Sequence, residues 1–282
     1  MSDLPTWRVD QEEAFAWLAK QADGAFDVTL TDPPYTDIVH ANVKNIHSAK
    51  TKDKGNKRKD KVDVDFPPFT VEDIERCTME LLRVTRRWVV LTCAIEQVGL
   101  YKHFAGNAYI RGGFYLRAQN TPQLSGDRPG QAGEGVVVLR PSGWDEDEDG
   151  GAVIVLHGAE AKHWNSGGEH AFWKATRDGG QRLHPTQKPV SLYLQWVEQF
   201  SLEGETICDP FAGSGTTGEA ALNRGRSFVG AEPMAHYHAI ATDRCAAASK
   251  GQSLLNYRRS QMTLFPPQAA PAKPSPRKRK KP

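Results

Sequence analysis

What the chain lacks narrows its class first. No stretch of its 282 residues approaches the roughly 20 consecutive apolar residues of a membrane span, and the N-terminus has no basic stretch followed by an apolar core. A soluble, cytoplasmic protein is expected. The four cysteines, Cys77, Cys93, Cys208 and Cys245, stand far apart, without the close pairs of a zinc site or a small disulfide scaffold. Reduced, mostly buried thiols and no metal follow. Internal repeats are absent, and a net charge of +2 says little about partners until the clustering of the charges is considered. With 39% hydrophobic residues, the length suits one large α/β domain with an inserted or appended subdomain.

Along the chain, Thr6 to Asp10 reads as a short strand ending on an acid, and Gln11 to Lys20 as helix-like. The β-rich run Phe26 to Thr31 stops at Asp32-Pro33-Pro34-Tyr35; prolines cannot donate to a sheet ladder, so Asp32 stands at the strand's carboxyl tip. A lysine-rich stretch without apolar periodicity reads as a long loop, about 40–65. A helix over Val71–Val84, capped by Thr70, leads to a buried strand Trp88–Leu91. From 96 to 180 the texture changes to short β-like runs (Phe114–Arg117, Val136–Arg140, Val153–His157) among glycine, proline and acidic clusters. After His184 the α/β rhythm returns: helix Val190–Phe200, strand Thr206–Cys208, a glycine turn, helix Thr216–Asn223, strand Ser227–Ala231 ending at Glu232, and one more helix. Such alternation predicts a Rossmann-like, doubly wound, mostly parallel sheet covered on both faces. The proline-rich then basic tail, 263–282, is expected to be disordered.

Two segments carry chemistry. Asp209-Pro210-Phe211-Ala212-Gly213-Ser214-Gly215-Thr216-Thr217-Gly218 contains a GxGxxG pattern opening a helix, and Glu232 ends the next strand. Glycines let backbone turn sharply against a ligand, a helix N-terminus favours an anion, and a later acid can accept from ribose hydroxyls. Without a lysine in the loop, a nucleoside-triphosphate site is disfavoured. Nicotinamide cofactor and S-adenosylmethionine both remain open on this segment alone.

The other segment is Asp32-Pro33-Pro34-Tyr35. An exocyclic base amine is a poor nucleophile, because its lone pair is delocalised into the ring. A group must accept its N–H bonds while the nitrogen pyramidalises. Asp32 offers a carboxylate, Pro33 a rigidly directed carbonyl beside Pro34, and Tyr35 a flat face on which an extruded base can stack. In isolation the tetrapeptide is equally a proline turn.

Taken with His184-Pro185-Thr186-Gln187-Lys188-Pro189 and the glycine turn, these residues resemble the beta class of DNA amino-methyltransferases, in which the catalytic motif precedes the cofactor motif. The resemblance implies that Asp32, Pro33, Pro34 and Tyr35 handle the base, and that S-adenosylmethionine is the cofactor. It further implies that Asp209, Phe211, Gly213, Ser214, Gly215 and Thr216 line the methionine end, that Glu232 binds the ribose, that Asp10 contacts the adenine ring, and that Thr186 and Lys188 close over the methionine carboxylate. Within that class an aspartate at position 32 favours adenine N6, with cytosine N4 as the alternative. The implied layout is a catalytic half (1–95), an inserted target-recognition region (96–180) in which Asp127-Arg128-Pro129-Gly130 and Trp164-Asn165-Ser166-Gly167-Gly168 resemble elements of other members, and a cofactor half (181–262). Double-stranded DNA is the implied substrate, and a restriction-enzyme partner is compatible with the reading. Lys52, Lys54, Lys57, Arg58 and Lys59, just after the tetrapeptide, can close over DNA phosphates. A nicotinamide-dependent oxidoreductase would share the glycine turn but leave the tetrapeptide and the His184–Pro189 segment unexplained. A catalytically silent DNA-binding protein would not need every group of the site.

Overall fold

The computed structural model describes residues 4–36, 67–117, 133–141, 165–166, 170–175 and 187–264. Eight strands form one sheet: β1 (Trp7–Asp10), β2 (Phe26–Thr31), β3 (Thr85–Cys93), β4 (Tyr109–Arg117), β5 (Gly133–Leu139), β6 (Phe172–Ala175), β7 (Thr206–Asp209) and β8 (Ser227–Ala231). Their order across the sheet is β1-β8-β7-β2-β3-β5-β4-β6. From β1 to β3 every neighbour is parallel; β5 then runs antiparallel to both β3 and β4, and β6 is parallel to β4. The sheet is therefore mostly parallel, as its buried apolar strands required.

Among the described residues seven α-helices accompany it: α1 (Ala14–Leu18), α2 (Val71–Val84), α3 (Val98–Ala105), α4 (Val190–Phe200), α5 (Thr216–Leu222), α6 (Ala235–Ala248) and α7 (Leu254–Leu264). Strand side chains alternate between two cores, because successive residues point to opposite faces. Val89, Leu91, Val137 and Leu139 enter one core with Trp17 of α1, Ile74 and Leu81 of α2 and Tyr101 of α3. Val90, Val136, Val138 and Ile207 enter the other with Trp196 and Phe200 of α4, Ala221 of α5 and Ala241 of α6. The helices explain themselves locally. In α2, Ile74, Cys77, Leu81 and Val84 recur at helical spacing, and Thr70 and Asp73 form a reciprocal capping box.

Sequence and structure differ at several boundaries. The first helix is only Ala14–Leu18, because Glu13 stays extended and caps it by accepting from the Ala16 N–H at 2.9 Å. The strand read at Trp88–Leu91 extends over Thr85–Cys93; Arg86 and Arg87, which look polar for a buried strand, bond to Asp27 and Glu205 at its start. The region from 96 to 180 supplies helix α3 and three sheet strands, β4, β5 and β6, rather than loops alone. Asn165 in that region serves the end of α4: its Nδ2 donates to the carbonyls of Glu198 (2.7 Å) and Ser201 (3.1 Å), and its backbone N–H to that of Gln199 (2.9 Å). Val153–His157 and Asp127–Gly130 lie outside the described residues. Among the described residues no helix is long and apolar enough to cross a membrane.

Candidate active site

The strand order sets the site. The chain leaves β2 for β3 on one side and leaves β7 for β8 on the other, so the adjacent strands β2 and β7 feed connections in opposite directions. A crevice opens at the carboxyl ends of strands at such a switch point. Asp32 follows β2 and Asp209 ends β7. The two motifs, far apart in sequence, meet there: the Thr31 hydroxyl donates to Asp209 Oδ1 at 2.7 Å.

Asp209 is fully used. Oδ1 also accepts from the Phe211 N–H (3.0 Å), and Oδ2 from the Thr217 hydroxyl (2.5 Å). Burial raises its carboxyl to about 7 against those three hydrogen bonds, which pull the other way. Such a group shapes the turn from inside. Glu232 is similarly engaged, accepting from the N–H groups of Gly213 (3.0 Å) and Met234 (2.9 Å), and burial raises its carboxyl too. Asp10 lies beside it at the end of β1: the Glu232 N–H donates to the Asp10 carbonyl at 3.0 Å, and the Asp10 carboxylate accepts from Trp17 Nε1 at 2.7 Å.

The two turn glycines differ. Gly213 has a φ of 52°, and a Cβ there would meet only the Phe211 carbonyl oxygen at 3.9 Å. Gly215, at φ 81°, is the left-handed N-cap of α5, and a Cβ there would lie 2.7 Å from the backbone of Ala241 in α6. Gly215 thus serves helix packing, whereas Gly213 leaves a cradle open. Phe211, in the same turn, lies edge-on to Phe69 with ring centroids 5.7 Å apart, and Phe69 stacks on Phe15 at 5.7 Å. Beneath the turn lies Arg244 of α6. Its Nη1 donates to the Ser214 carbonyl (3.2 Å), the Ser214 hydroxyl (3.1 Å) and the Thr216 hydroxyl (3.0 Å), and its Nε to Glu219 (2.6 Å).

At the end of β2, Asp32 Oδ1 accepts from the hydroxyls of Thr92 and Tyr35, the latter at 3.2 Å, and Oδ2 takes the Lys188 ammonium at 2.5 Å. Lys188 also lies 3.1 Å from Glu134 Oε2 and 5.3 Å from the Tyr35 ring centroid. The Tyr35 hydroxyl is 2.8 Å from the same Glu134 oxygen. With one proton for two carboxylates, it gives the better bond to Glu134. Lys188, assigned to the cofactor by resemblance, is therefore gathered with Asp32 and Tyr35. Thr186 and the five basic residues from Lys52 to Lys59 lie outside the described residues.

Three polar side chains escaped the sequence reading: Glu134, Thr92 and Arg244. A signal existed for two. Glu134 is an acid entering the valine run of β5, and Arg244 is a charge on the alanine-rich face of α6. Among the described residues no group of three or more His, Cys, Asp or Glu side chains is placed to hold a metal ion.

Comparison with known proteins bears on the family and the fold. A family model described as DNA methylase, of the N6/N4 type, matches residues 26–243. YubD of Escherichia coli (strain K12), named as a methylase, is 41% identical over 78 residues, 28% of this chain and 33% of that one, so the match spans about a third of the relative's length. The M1.HpyAVI structure, solved as a SAM complex, superposes with a TM-score of 0.56 and 20% identity over 85% of this chain and 100% of that one. The cytosine-N4-specific PvuII DNA methyltransferase gives 0.56 and 12% over 89% and 95%. At such identities the structural likeness concerns the fold.

Proposed function

The chain belongs to the N6/N4 DNA methylase family, and from that premise we propose that it methylates the exocyclic amine of a base flipped out of double-stranded DNA, adenine N6 in particular. The observation that carries this reading is the joining of two chemistries at one crevice. The Asp32 carboxylate follows β2 beside the glycine turn that follows β7, and the Thr31–Asp209 hydrogen bond fixes one against the other.

The turn suits S-adenosylmethionine on its own geometry: Gly213 leaves open space where a side chain would stand, with the Glu232 carboxylate at its N–H. Bound there, the cofactor supplies a sulfonium methyl as electrophile. Phe211 and the turn from Gly213 to Thr216 would hold its methionine part, Glu232 its ribose, Asp10 its adenine side, and Thr186 would close over it. Asp209 sets the turn's shape, and Gly215 lets α6 approach.

Tyr35 holds the extruded base by its ring, and the Pro33 carbonyl and Asp32 accept the two amine N–H bonds. Asp32 would oppose the positive charge of the alkylated amine nitrogen and would accept the proton that this nitrogen sheds. The basic residues Lys52, Lys54, Lys57, Arg58 and Lys59 contact DNA phosphates in this reading. The preference for adenine rests on aspartate at position 32, not on the fold.

Nucleoside mass spectrometry on unmethylated DNA, treated with the chain and isotope-labelled S-adenosylmethionine, tests the proposal. Labelled N6-methyladenine is expected, with Asp32→Ala slower by on the order of 10² or more and cofactor affinity held. N4-methylcytosine would overturn the base assignment, and no labelled nucleoside would overturn the activity.

A further inference from the structure

We propose that Lys188 is a movable counter-ion, held by Asp32 at rest and handed to Glu134 when a base amine arrives, which makes Glu134 a positioning residue of the methyl-transfer site. The inference rests on the amino-methyltransferase reading and deepens it.

The resting arrangement is at odds with the chemistry required of Asp32. Its Oδ2 holds an ammonium at 2.5 Å. A cation there neutralises the carboxylate that must accept amine N–H bonds, and it repels the positive charge that grows on the amine nitrogen as the methyl arrives. The partner that can leave is the one on a flexible stem. Thr92 is fixed in β3, and Tyr35 follows two prolines and accepts from the Phe69 N–H at its carbonyl (3.1 Å), whereas the lysine ammonium ends four rotatable carbons.

A destination stands ready. Glu134 Oε2 is 3.1 Å from the same ammonium, and the side chains of Glu134 and Lys188 are only 3% and 9% exposed, against 21% for Asp32. Lys188 can pass between two carboxylates without entering water, and the more accessible carboxylate is the one freed. Tyr35 completes the exchange. Its hydroxyl, 2.8 Å from Glu134 and 3.2 Å from Asp32, loses its better acceptor to the ammonium and can turn its proton to Asp32. The carboxylate then trades an ion pair for a neutral hydrogen bond and keeps its charge for the amine. No bond to carbon is made or broken in the exchange.

Charge counting gives a test. Asp32, Glu134 and Lys188 together carry −1; Glu134→Gln leaves 0, Lys188→Met leaves −2, and the double variant restores −1. In Glu134→Gln the ammonium has lost this second carboxylate and stays on Asp32. Turnover of labelled methyl into unmethylated double-stranded DNA should fall roughly tenfold or more, with S-adenosylmethionine affinity by calorimetry unchanged. Lys188→Met should also slow turnover, since two neighbouring carboxylates then repel. The double variant should exceed Glu134→Gln several-fold, because the competitor for Asp32 is gone. Losses that multiply in the double variant would overturn the exchange and mark both residues as structural. Should the glutamine variant fail to fold, Glu134→Asp decides: it keeps the charge, so activity well above that of Asp32→Ala supports the proposal, and loss to the Asp32→Ala level overturns it. A parent chain that transfers no methyl to any DNA would overturn the underlying reading, an outcome distinct from multiplicative losses in an active parent.

Discussion

Arg244 gives the sharpest test of how the cofactor turn is held. Its side chain is 5% exposed and Glu219's 27%, and its guanidinium reaches the Ser214 carbonyl, the Ser214 and Thr216 hydroxyls and the Glu219 carboxylate. Arg244→Met keeps much of the stem's volume and removes the fork. The two hydroxyls can rotate toward other partners, but the Ser214 carbonyl cannot, and a buried acceptor left without its donor costs about 1–3 kcal/mol. Breaking a fully buried ion pair costs about 3–5 kcal/mol, an upper bound here because Glu219 regains water. A net loss of about 2–4 kcal/mol results. At about 2–4 °C per kcal/mol for a chain of this size, Tm should drop by on the order of 10 °C. Part of the loss falls on the turn itself, and about 1.4 kcal/mol there weakens cofactor binding roughly tenfold. Thermal melts and calorimetry with S-adenosylmethionine measure both quantities, and Arg244→Lys should recover part of the stability through Glu219 while leaving the turn loose. A methionine variant melting within about 2 °C of the parent, with equal affinity, would refute the argument.

The other expectations concern single groups. Burial holds the Asp209 carboxyl at about 7, against about 3.9 unfolded, so the native state keeps a proton that the unfolded chain releases. The stability from this group is full below about pH 4 and is lost as pH rises toward about 7. Asp209→Asn should therefore gain on the parent between pH 5 and 8 in urea melts, and parallel pH curves would contradict the shift. Gly213→Ala should fold, at a cost of about 1 kcal/mol for its positive φ, and weaken cofactor binding. Gly215→Ala should instead lower Tm, since its Cβ meets the α6 backbone; calorimetry and melts together distinguish the two, and equal behaviour would argue against this division. Neutralising Lys52, Lys54, Lys57, Arg58 and Lys59 should flatten the salt dependence of DNA binding with cofactor affinity held, and an unchanged slope would remove the loop from the interface.

Local pattern made part of the structure legible. Strand Phe26–Thr31, helix Val71–Val84, helix Val190–Phe200 and strand Ser227–Ala231 appear with the boundaries their periodicity and caps indicated. The glycine turn and the tetrapeptide were legible because each is contiguous. Elements set by distant pairing were not. Strand β6 has only four residues and gains its identity from registering Phe172–Ala175 with Phe114–Arg117. The Asp32–Lys188–Glu134 group draws on three separate segments, so no spacing in the chain announces it. Resemblance put Lys188 at the cofactor's carboxylate, whereas tertiary contact carries its ammonium across to Asp32. The two arginines opening β3 hid its first residues for a related reason: their partners, Asp27 and Glu205, arrive from the neighbouring strand and from the loop before β7.

The polar groups of the crevice divide by how firmly they are held, and the division follows the chemistry asked of each side. Around the glycine turn Asp209 and Glu232 are spent on short, directional bonds to backbone or to hydroxyls: Asp209 to Thr31, Phe211 and Thr217, and Glu232 to Gly213 and Met234. Arg244 adds a planar fork from below. None of these partners can move without breaking β2, α5 or the turn, which suits a cradle that must present one geometry to an electrophile. On the base side, two carboxylates share one ammonium on a flexible stem and one hydroxyl proton. That arrangement can be rewired without moving backbone, which suits the proposed change of the Asp32 partner from a lysine to a base amine. The Thr31–Asp209 bond ties the adjustable side to the fixed one within a single residue of Asp32. Rearrangement is thereby confined to side-chain tips, and under the proposed function the distance between the base amine and the methyl donor would be a property of the sheet.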